Sequence, residues 1–534
     1  MNRREIIKGM AVLPFAGSLL SWDAAFGAPL DPLVIGPNIY ESIGVDTIVN
    51  CRGTFTIIGG SIERPEVLAA MEAASGSFVQ YDELAFGIGQ RLAEISGSEW
   101  GMVSAGCAAG LKHVAAACVS GGNPEKLLRI PDLSDLEKTE VIVPTYSRNV
   151  YDHGIRNIGV KMINVETPEE LEEAINSRTA MIYLTAGRSS AEGQPLSLEV
   201  ISRIAKPKNI PILMDAAAEN LTLPPIHLKR GATIVAYSGG KAICGPQCAG
   251  VLFGDKNILM SAWQASSPHH GPGRDNKVGK EEMLGMLAAV EAWVARDHEQ
   301  EWQTWLSWLD TISKGVTKVQ GVTTTIEEPS GLSNRTPRLV ISWDPEKLHV
   351  TGEEIAEEVG RSKPRIAIGS DTSDEVTSVN VTPSQMQPGQ EKVVADRLYE
   401  VLSKKRSPKS MAMASPTNKI NGHWQVDVDF FSSKSKHAFI LEQDGNWLQG
   451  THKGDFSVQN IVGTIEGDQV KLRSDNNMTG DHIMYIFSGT TSGDTITGSI
   501  YLGEYLNAKF TAKRVDYHPG HERIMIPGGP PLAT

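Results

Sequence analysis

Five short apolar runs rich in β-formers, at residues 141–143, 181–184, 210–214, 233–237 and 251–253, are separated by stretches of helical periodicity. No other feature narrows the fold as much. Runs that are apolar throughout, rather than alternating with polar residues, belong to strands buried on both faces, and helices between them supply the covering layers. The expected fold is therefore α/β, with a mostly parallel sheet sandwiched by helices. In such sheets ligands bind at the carboxyl ends of the strands.

Two charged residues fall at those ends. Asp215 closes the run Ile210-Pro211-Ile212-Leu213-Met214, and Lys241 follows the next run in Ala236-Tyr237-Ser238-Gly239-Gly240-Lys241. A lone lysine in a turn is ordinarily a solvated loop residue. A lysine at the end of a buried strand, beside residues too small to crowd a ring, can lose its proton and form a Schiff base with an aldehyde cofactor. A carboxylate ending the neighbouring strand can keep a pyridine nitrogen protonated, which makes the ring an electron sink. The pair points to pyridoxal 5'-phosphate.

Such a site needs an anion cradle, a ring clamp and an anchor for the substrate carboxylate. Val103-Ser104-Ala105-Gly106-Cys107-Ala108-Ala109-Gly110 opens a helical pattern with small residues, so backbone N–H groups around Gly106 and Cys107 are the cradle candidates. Ser238, three residues before Lys241, adds a hydroxyl. For the clamp, Tyr146 follows the run at 141–143, with His153 as the second candidate and Tyr151 between them. Guanidinium groups pair with carboxylates bidentately. Arg52, Arg188, Arg274, Arg335 and Arg365 are the available ones, of which Arg274 and Arg365 are preferred.

The chain has 534 residues, too many for one core. Its balance is acidic, 63 Asp and Glu against 50 Lys and Arg, and its body carries no dense basic cluster, which argues against a nucleic-acid partner. The start, Asn2-Arg3-Arg4-Glu5-Ile6-Ile7-Lys8, an apolar stretch at 10–20 and the small residues of Ala25-Phe26-Gly27-Ala28 read as a cleavable twin-arginine signal over 1–27. The apolar stretch is too short for a stable membrane anchor. A periplasmic or otherwise exported protein is the expectation, and export in the folded state suits a cofactor inserted beforehand. The five cysteines, Cys51, Cys107, Cys118, Cys244 and Cys248, lack zinc spacing and read as small buried side chains.

The large cofactor domain is expected over 28–300 and a small α/β domain over 301–404. One long amphipathic helix is expected over 280–309, with Trp293, Trp302, Trp305 and Trp308 as packing residues. Residues 405–419 have linker composition. From 420 to 516 short alternating strands with glycine-marked turns predict an antiparallel β domain of about eight strands, a barrel or a sandwich. No histidine cluster, carboxylate pair or nucleophile stands out in it. The tail at 517–534 is rich in Pro and Gly.

Three blocks carry a family resemblance: Asp215-Ala-Ala-Ala-Glu219-Asn-Leu, then Ser238-Gly-Gly-Lys241-Ala-Ile-Cys-Gly245-Pro246-Gln247-Cys-Ala-Gly250, and Gly273-Arg274-Asp-Asn-Lys277-Val-Gly279-Lys280-Glu281-Glu282. Together they resemble the selenocysteine-synthase-related branch of fold-type-I pyridoxal-phosphate enzymes, closest to proteins like D-glucosaminate-6-phosphate ammonia-lyase, over about residues 46–403. The resemblance implies Lys241 as the Schiff-base lysine, Asp215 as the pyridinium partner, and Ser238, Gly106 and Cys107 as phosphate ligands. It also implies a homodimer or larger homo-oligomer and a small amino-acid-like substrate. Where that family carries a histidine, this chain has Ser147. The implied activity is a lyase releasing ammonia by α,β-elimination from a β-hydroxy amino acid or amino-sugar acid. Racemase, aldolase or selenocysteine-synthase-like transferase chemistry uses the same parts, and a non-catalytic binding protein on the same fold is a further alternative.

Overall fold

A computed structural model describes residues 33–372, 376–410, 412–516 and 523. The signal at 1–27 and nearly all of the tail at 517–534 lie outside the described residues. Two compact units divide the chain, with the break at residues 408–409.

The first unit is built on a seven-stranded sheet. Its strands are β2 (Trp100–Ser104), β3 (Glu140–Pro144), β4 (Lys161–Val165), β5 (Thr179–Thr185), β6 (Ile212–Asp215), β7 (Ile234–Ser238) and β8 (Gly250–Gly254), after a short β1 (Val49–Asn50). The order is β2-β8-β7-β6-β5-β3-β4, parallel from β7 to β4, with β8 antiparallel to both β7 and β2. Every residue of β2, β3, β6 and β8 is buried, as the uninterrupted apolar runs require, and only the edge strand β4 is substantially exposed. The helices used below are α1 (Pro65–Ser75), α2 (Tyr81–Ser96), α3 (Cys107–Ser120), α4 (His153–Arg156), α5 (Lys280–Ala295), α6 (His298–Val316), α7 (Gly352–Arg361) and α8 (Gln390–Leu402). Of these, α3 is buried along almost its whole length, and its run of small residues lets it lie close on the sheet.

A second core is formed by α6, α7 and α8 against a four-stranded antiparallel sheet of β9 (Thr323–Glu327), β10 (Arg338–Trp343), β12 (Gly369–Thr372) and β13 (Thr377–Val381). Two expectations are corrected here. The single helix over 280–309 is two helices, because Asp297 leaves the helical path and caps α6 by accepting from the Gln300 N–H at 2.9 Å. The segment around Val49, placed by sequence order in the large domain, instead pairs in parallel with β11 (Ile366–Ala367), and Cys51 is buried in the small core. A pairing across some 300 residues leaves no trace in local pattern.

The second unit is a closed barrel of eight consecutive antiparallel strands: β14 (Gly422–Asp429), β15 (Lys434–Asp444), β16 (Trp447–Lys453), β17 (Val458–Glu466), β18 (Gln469–Met478), β19 (Asp481–Ser492), β20 (Thr495–Tyr501) and β21 (Asn507–Val515). Closure rather than a sandwich follows from β14 pairing with both β15 and β21, which leaves no free edge. Its interior holds Trp424, Val426, Phe439, Leu441, Ile461, Leu472, Phe487 and Phe510. It also holds two buried histidines, His437 and His452, against the expectation of no histidine cluster. They are 15 residues apart in sequence and meet only because adjacent strands turn both side chains inward.

Candidate active site

β6 and β7 run side by side and end together, which brings Asp215 and the turn bearing Lys241 to one edge of the sheet. Asp215 is buried and held from three sides. Its Oδ2 accepts from the Tyr183 hydroxyl at 3.0 Å, and its Oδ1 accepts from the Ala217 N–H at 3.0 Å, with the Cys107 thiol 3.7 Å away. Burial pushes the carboxyl above its usual range, opposed by these hydrogen bonds and by the positive charge of Lys241 nearby. A buried carboxylate with a cation nearby, but no ion-pair partner among the described residues, is set to receive a protonated ring nitrogen.

Lys241 is half-buried, and its amine makes no hydrogen bond or ion pair with a described residue. The turn that carries it is shaped by glycines. A Cβ on Gly239 would meet the Ala249 and Pro246 carbonyls at 2.7 and 2.8 Å, and one on Gly240 would meet the Gln247 backbone at 2.7 Å. No side chain fits there, so the lysine is the first residue after β7 that can project.

The anion cradle assembles from three strands. Gly106 caps α3 with φ +83°, and a Cβ placed on it meets nothing within 4 Å, so the space before the helix is open. Ser238 of β7 stands opposite Gly250 of β8, which stands opposite Ser104 of β2. Gly250 in turn lies against the Gly106–Cys107 peptide. Ser238 and the N-terminus of α3 thus border one open space, suited to a phosphate by the N–H groups of the first helical turn and by the helix dipole. The Gly106 N–H, a candidate from sequence, is not among them, because it donates to the Ser104 carbonyl at 2.9 Å. Cys107 divides its parts: its N–H faces the cradle side as the first helical residue, while its buried thiol turns to Asp215, and burial together with that carboxylate pushes the thiol well above its usual value. A Cβ on Gly250 would sit 2.6 Å from the Cys107 nitrogen, so Gly250→Ala must displace the cradle. We expect cofactor affinity about tenfold weaker, roughly 1.4 kcal/mol, in absorbance titrations of the apoprotein.

The other sequence candidates are spread more widely. Tyr146 donates its hydroxyl to the Leu196 carbonyl at 2.7 Å. His153 begins α4 and is exposed, while the adjacent Gly154 packs on the Ala108 carbonyl in the first turn of α3. Tyr151 is exposed. Arg274 is exposed and donates to Ser267 Oγ at 3.2 Å. Arg365 donates through Nε to the Gly360 carbonyl and, with Arg52, lines a cleft of about 430 Å³ on the small domain. The Arg335 N–H bonds Asn220 Oδ1, five residues past Asp215, and Arg188 is exposed. Of the cysteines, Cys248 is exposed rather than buried.

Sequence reasoning missed Tyr183 and Asn149. The amide of Asn149 donates to the Tyr183 hydroxyl at 3.3 Å, to Thr185 Oγ1 at 3.0 Å and to the Ser147 carbonyl at 2.9 Å. This chain fixes the hydroxyl that fixes Asp215. The available signal was a tyrosine inside an otherwise aliphatic buried strand, which requires a polar partner for its hydroxyl. In Tyr183→Phe the Asp215 Oδ2 loses its donor, and kcat/KM should fall by about 10- to 100-fold with the fold retained, in line with 1–3 kcal/mol for an unpaired buried acceptor.

Residues 147–274 match the aminotransferase class-V family. A solved structure of D-glucosaminate-6-phosphate ammonia-lyase superposes with a TM-score of 0.61 at 25% identity, covering 69% of this chain and 99% of that one. This chain is a fold-type-I pyridoxal-phosphate enzyme. Among curated relatives of the enzyme, the D-glucosaminate-6-phosphate ammonia lyase of Salmonella typhimurium (strain 14028s / SGSC 2262) is 27% identical over 303 residues, covering 55% of this chain and 79% of the relative. The 5'-C-glycyluridine monooxygenase-decarboxylase of a Streptomyces species is 28% identical over 378 residues, covering 68% and 92%.

Proposed function

We propose that the enzyme is an ammonia-releasing lyase acting by α,β-elimination on a β-hydroxy amino acid or an amino-sugar acid. The observation that carries this reading is the unpartnered amine of Lys241 beside the buried, three-fold-held Asp215. Likeness to an ammonia-lyase in sequence and in structure supports it. When bound, pyridoxal phosphate supplies a ring that stores the electron pair left at the α-carbon. Asp215 would keep the ring nitrogen protonated, and Ser238 with the Cys107 N–H at the start of α3 would hold the phosphate. The Lys241 amine would remove the α-proton of the bound substrate. An arginine, Arg274 or Arg365, orients the substrate carboxylate. Water leaves from the β-carbon and one water is taken up afterwards, so the net products are a keto acid and ammonia.

A screen of D- and L-β-hydroxy amino acids and amino-sugar acids, followed for ammonia and keto acid, tests the reading. Inverted amino acid, a released aldehyde, or carbon dioxide in place of ammonia would each reject it.

The homo-oligomer is part of the same proposal. The stretch from Phe55 to Phe86 leaves Phe55, Ile57, Ile62, Leu68, Phe78 and Phe86 exposed, Ile57 by 80% and Phe78 fully. Within that stretch Gly60 lies against Gly240 and Gln247, so a second copy covering this face would sit beside the Lys241 turn. Export through the twin-arginine route completes it and predicts recovery of the mature chain, cleaved near Ala28, from the periplasmic fraction.

A further inference from the structure

The loops joining β14 to β15, β16 to β17, β18 to β19 and β20 to β21 all lie at one end of the barrel. At the opposite end the inward-facing residues Trp424, Leu448, Ile465, Val470 and Ile496 are buried and apolar. At the loop-bearing end the inward positions change character. His437, His452 and Ser474 are buried and polar, while Gln459 and Tyr485 at the same level keep partial exposure, so this end opens to solvent.

A hydrogen-bonded chain runs through these side chains. Gln459 Nε2 donates to Ser457 Oγ at 2.6 Å, and Ser474 Oγ donates to Gln459 Oε1 at 2.6 Å. With the single Ser474 proton used, the 3.0 Å contact to His452 must carry its proton on His452 Nδ1. His452 Nε2 is then an acceptor, and the 2.9 Å contact between the two imidazoles requires the proton on His437 Nδ1. In a neutral ring that leaves His437 Nε2 with a bare lone pair. The residue is 3% exposed and this nitrogen has no hydrogen-bond partner among the described residues. Asp455 Oδ2 faces it at 3.5 Å, too far for a sound hydrogen bond, while Asp455 Oδ1 accepts from Ser435 Oγ.

Two electron-pair donors thus face one another across a gap with nothing between them, each oriented by a partner on its other atom. That is the arrangement in which outer-shell hydrogen bonds fix the ligands of a metal ion. Bonds of about 2.0–2.2 Å from one ion to both atoms would close the gap at an angle of roughly 105–120°. Imidazole with carboxylate selects a zinc-like divalent ion over magnesium or calcium. Among the described residues no group of three or more such side chains comes together, so the remaining positions fall to water entering at the open end.

We propose that the loop-bearing mouth of the barrel is an exchangeable binding site for a divalent transition-metal ion, ligated by His437 Nε2 and Asp455 and oriented by His452, Ser474 and Ser435. The test is titration of the full-length, cofactor-loaded protein with zinc(II) by calorimetry and with cobalt(II) by visible absorption. Wild type should bind an equivalent that His437→Ala lacks and that Asp455→Asn, altered only at an exposed loop, binds at least tenfold more weakly. Equal stoichiometry and affinity in all three proteins would overturn the proposal. So would a nitrogen-resolved NMR spectrum showing a proton on His437 Nε2 bonded to Asp455, because the proton order would then run the other way and the pair would be an ordinary hydrogen bond.

Discussion

Lys241→Ala should abolish turnover, with kcat falling by at least about a thousandfold, and should remove the yellow colour of the purified enzyme while leaving the fold intact. The size follows from two roles resting on one atom. On the proposed function the amine is both the covalent tether and the base for the α-proton, and loss of a positioned base alone costs about 10²–10⁴. Little structural damage is expected, because the side chain makes no hydrogen bond or ion pair among the described residues. Added primary amines should restore part of the proton transfer, which separates loss of chemistry from loss of folding. Absence of the yellow colour from the wild type, or its persistence unchanged in the variant, would support the non-catalytic reading of the fold.

Asp215→Asn should be the next largest effect, a loss of about 10²–10³ in kcat with cofactor still bound. The phosphate cradle and Lys241 are untouched by this change, so retention of the cofactor does not depend on it. What fails is the ionised partner of the ring nitrogen. In the protein without cofactor, burial already favours the protonated acid at this position. Folding therefore gains from Asp215 at low pH and loses that gain as pH rises through the elevated pKa. A cationic ring nitrogen reverses the sign. The thermal stabilisation given by pyridoxal phosphate should consequently be larger in wild type than in Asp215→Asn, and the difference should grow as pH rises through the elevated Asp215 pKa. Differential scanning fluorimetry of apo and loaded proteins reads this without any substrate.

The α/β sheet was legible because its strands are buried on both faces and announce themselves as unbroken apolar runs. Asp215 and Lys241 were legible because strand ends are where such sheets place chemistry. Closure of the β domain was not, since a barrel and a sandwich share the same alternation and differ only in whether β14 finds β21. Tyr183 stayed hidden inside a run whose other members are core, and Asn149 was passed over between two aromatic candidates. The histidine pair of the barrel escaped for a plainer reason. Cross-strand neighbours are far apart in sequence, and only the register that sets Phe439 opposite His452 brings His437 beside it. Position on the sheet carried the cofactor site, whereas contacts made through register required the structure.

The most direct test of the account is the identity of the lysine that carries the cofactor. Borohydride reduction of the purified enzyme, proteolysis and mass spectrometry should find the phosphopyridoxyl group on the peptide containing Ser238-Gly239-Gly240-Lys241. A group on any other lysine, or on none, would contradict it.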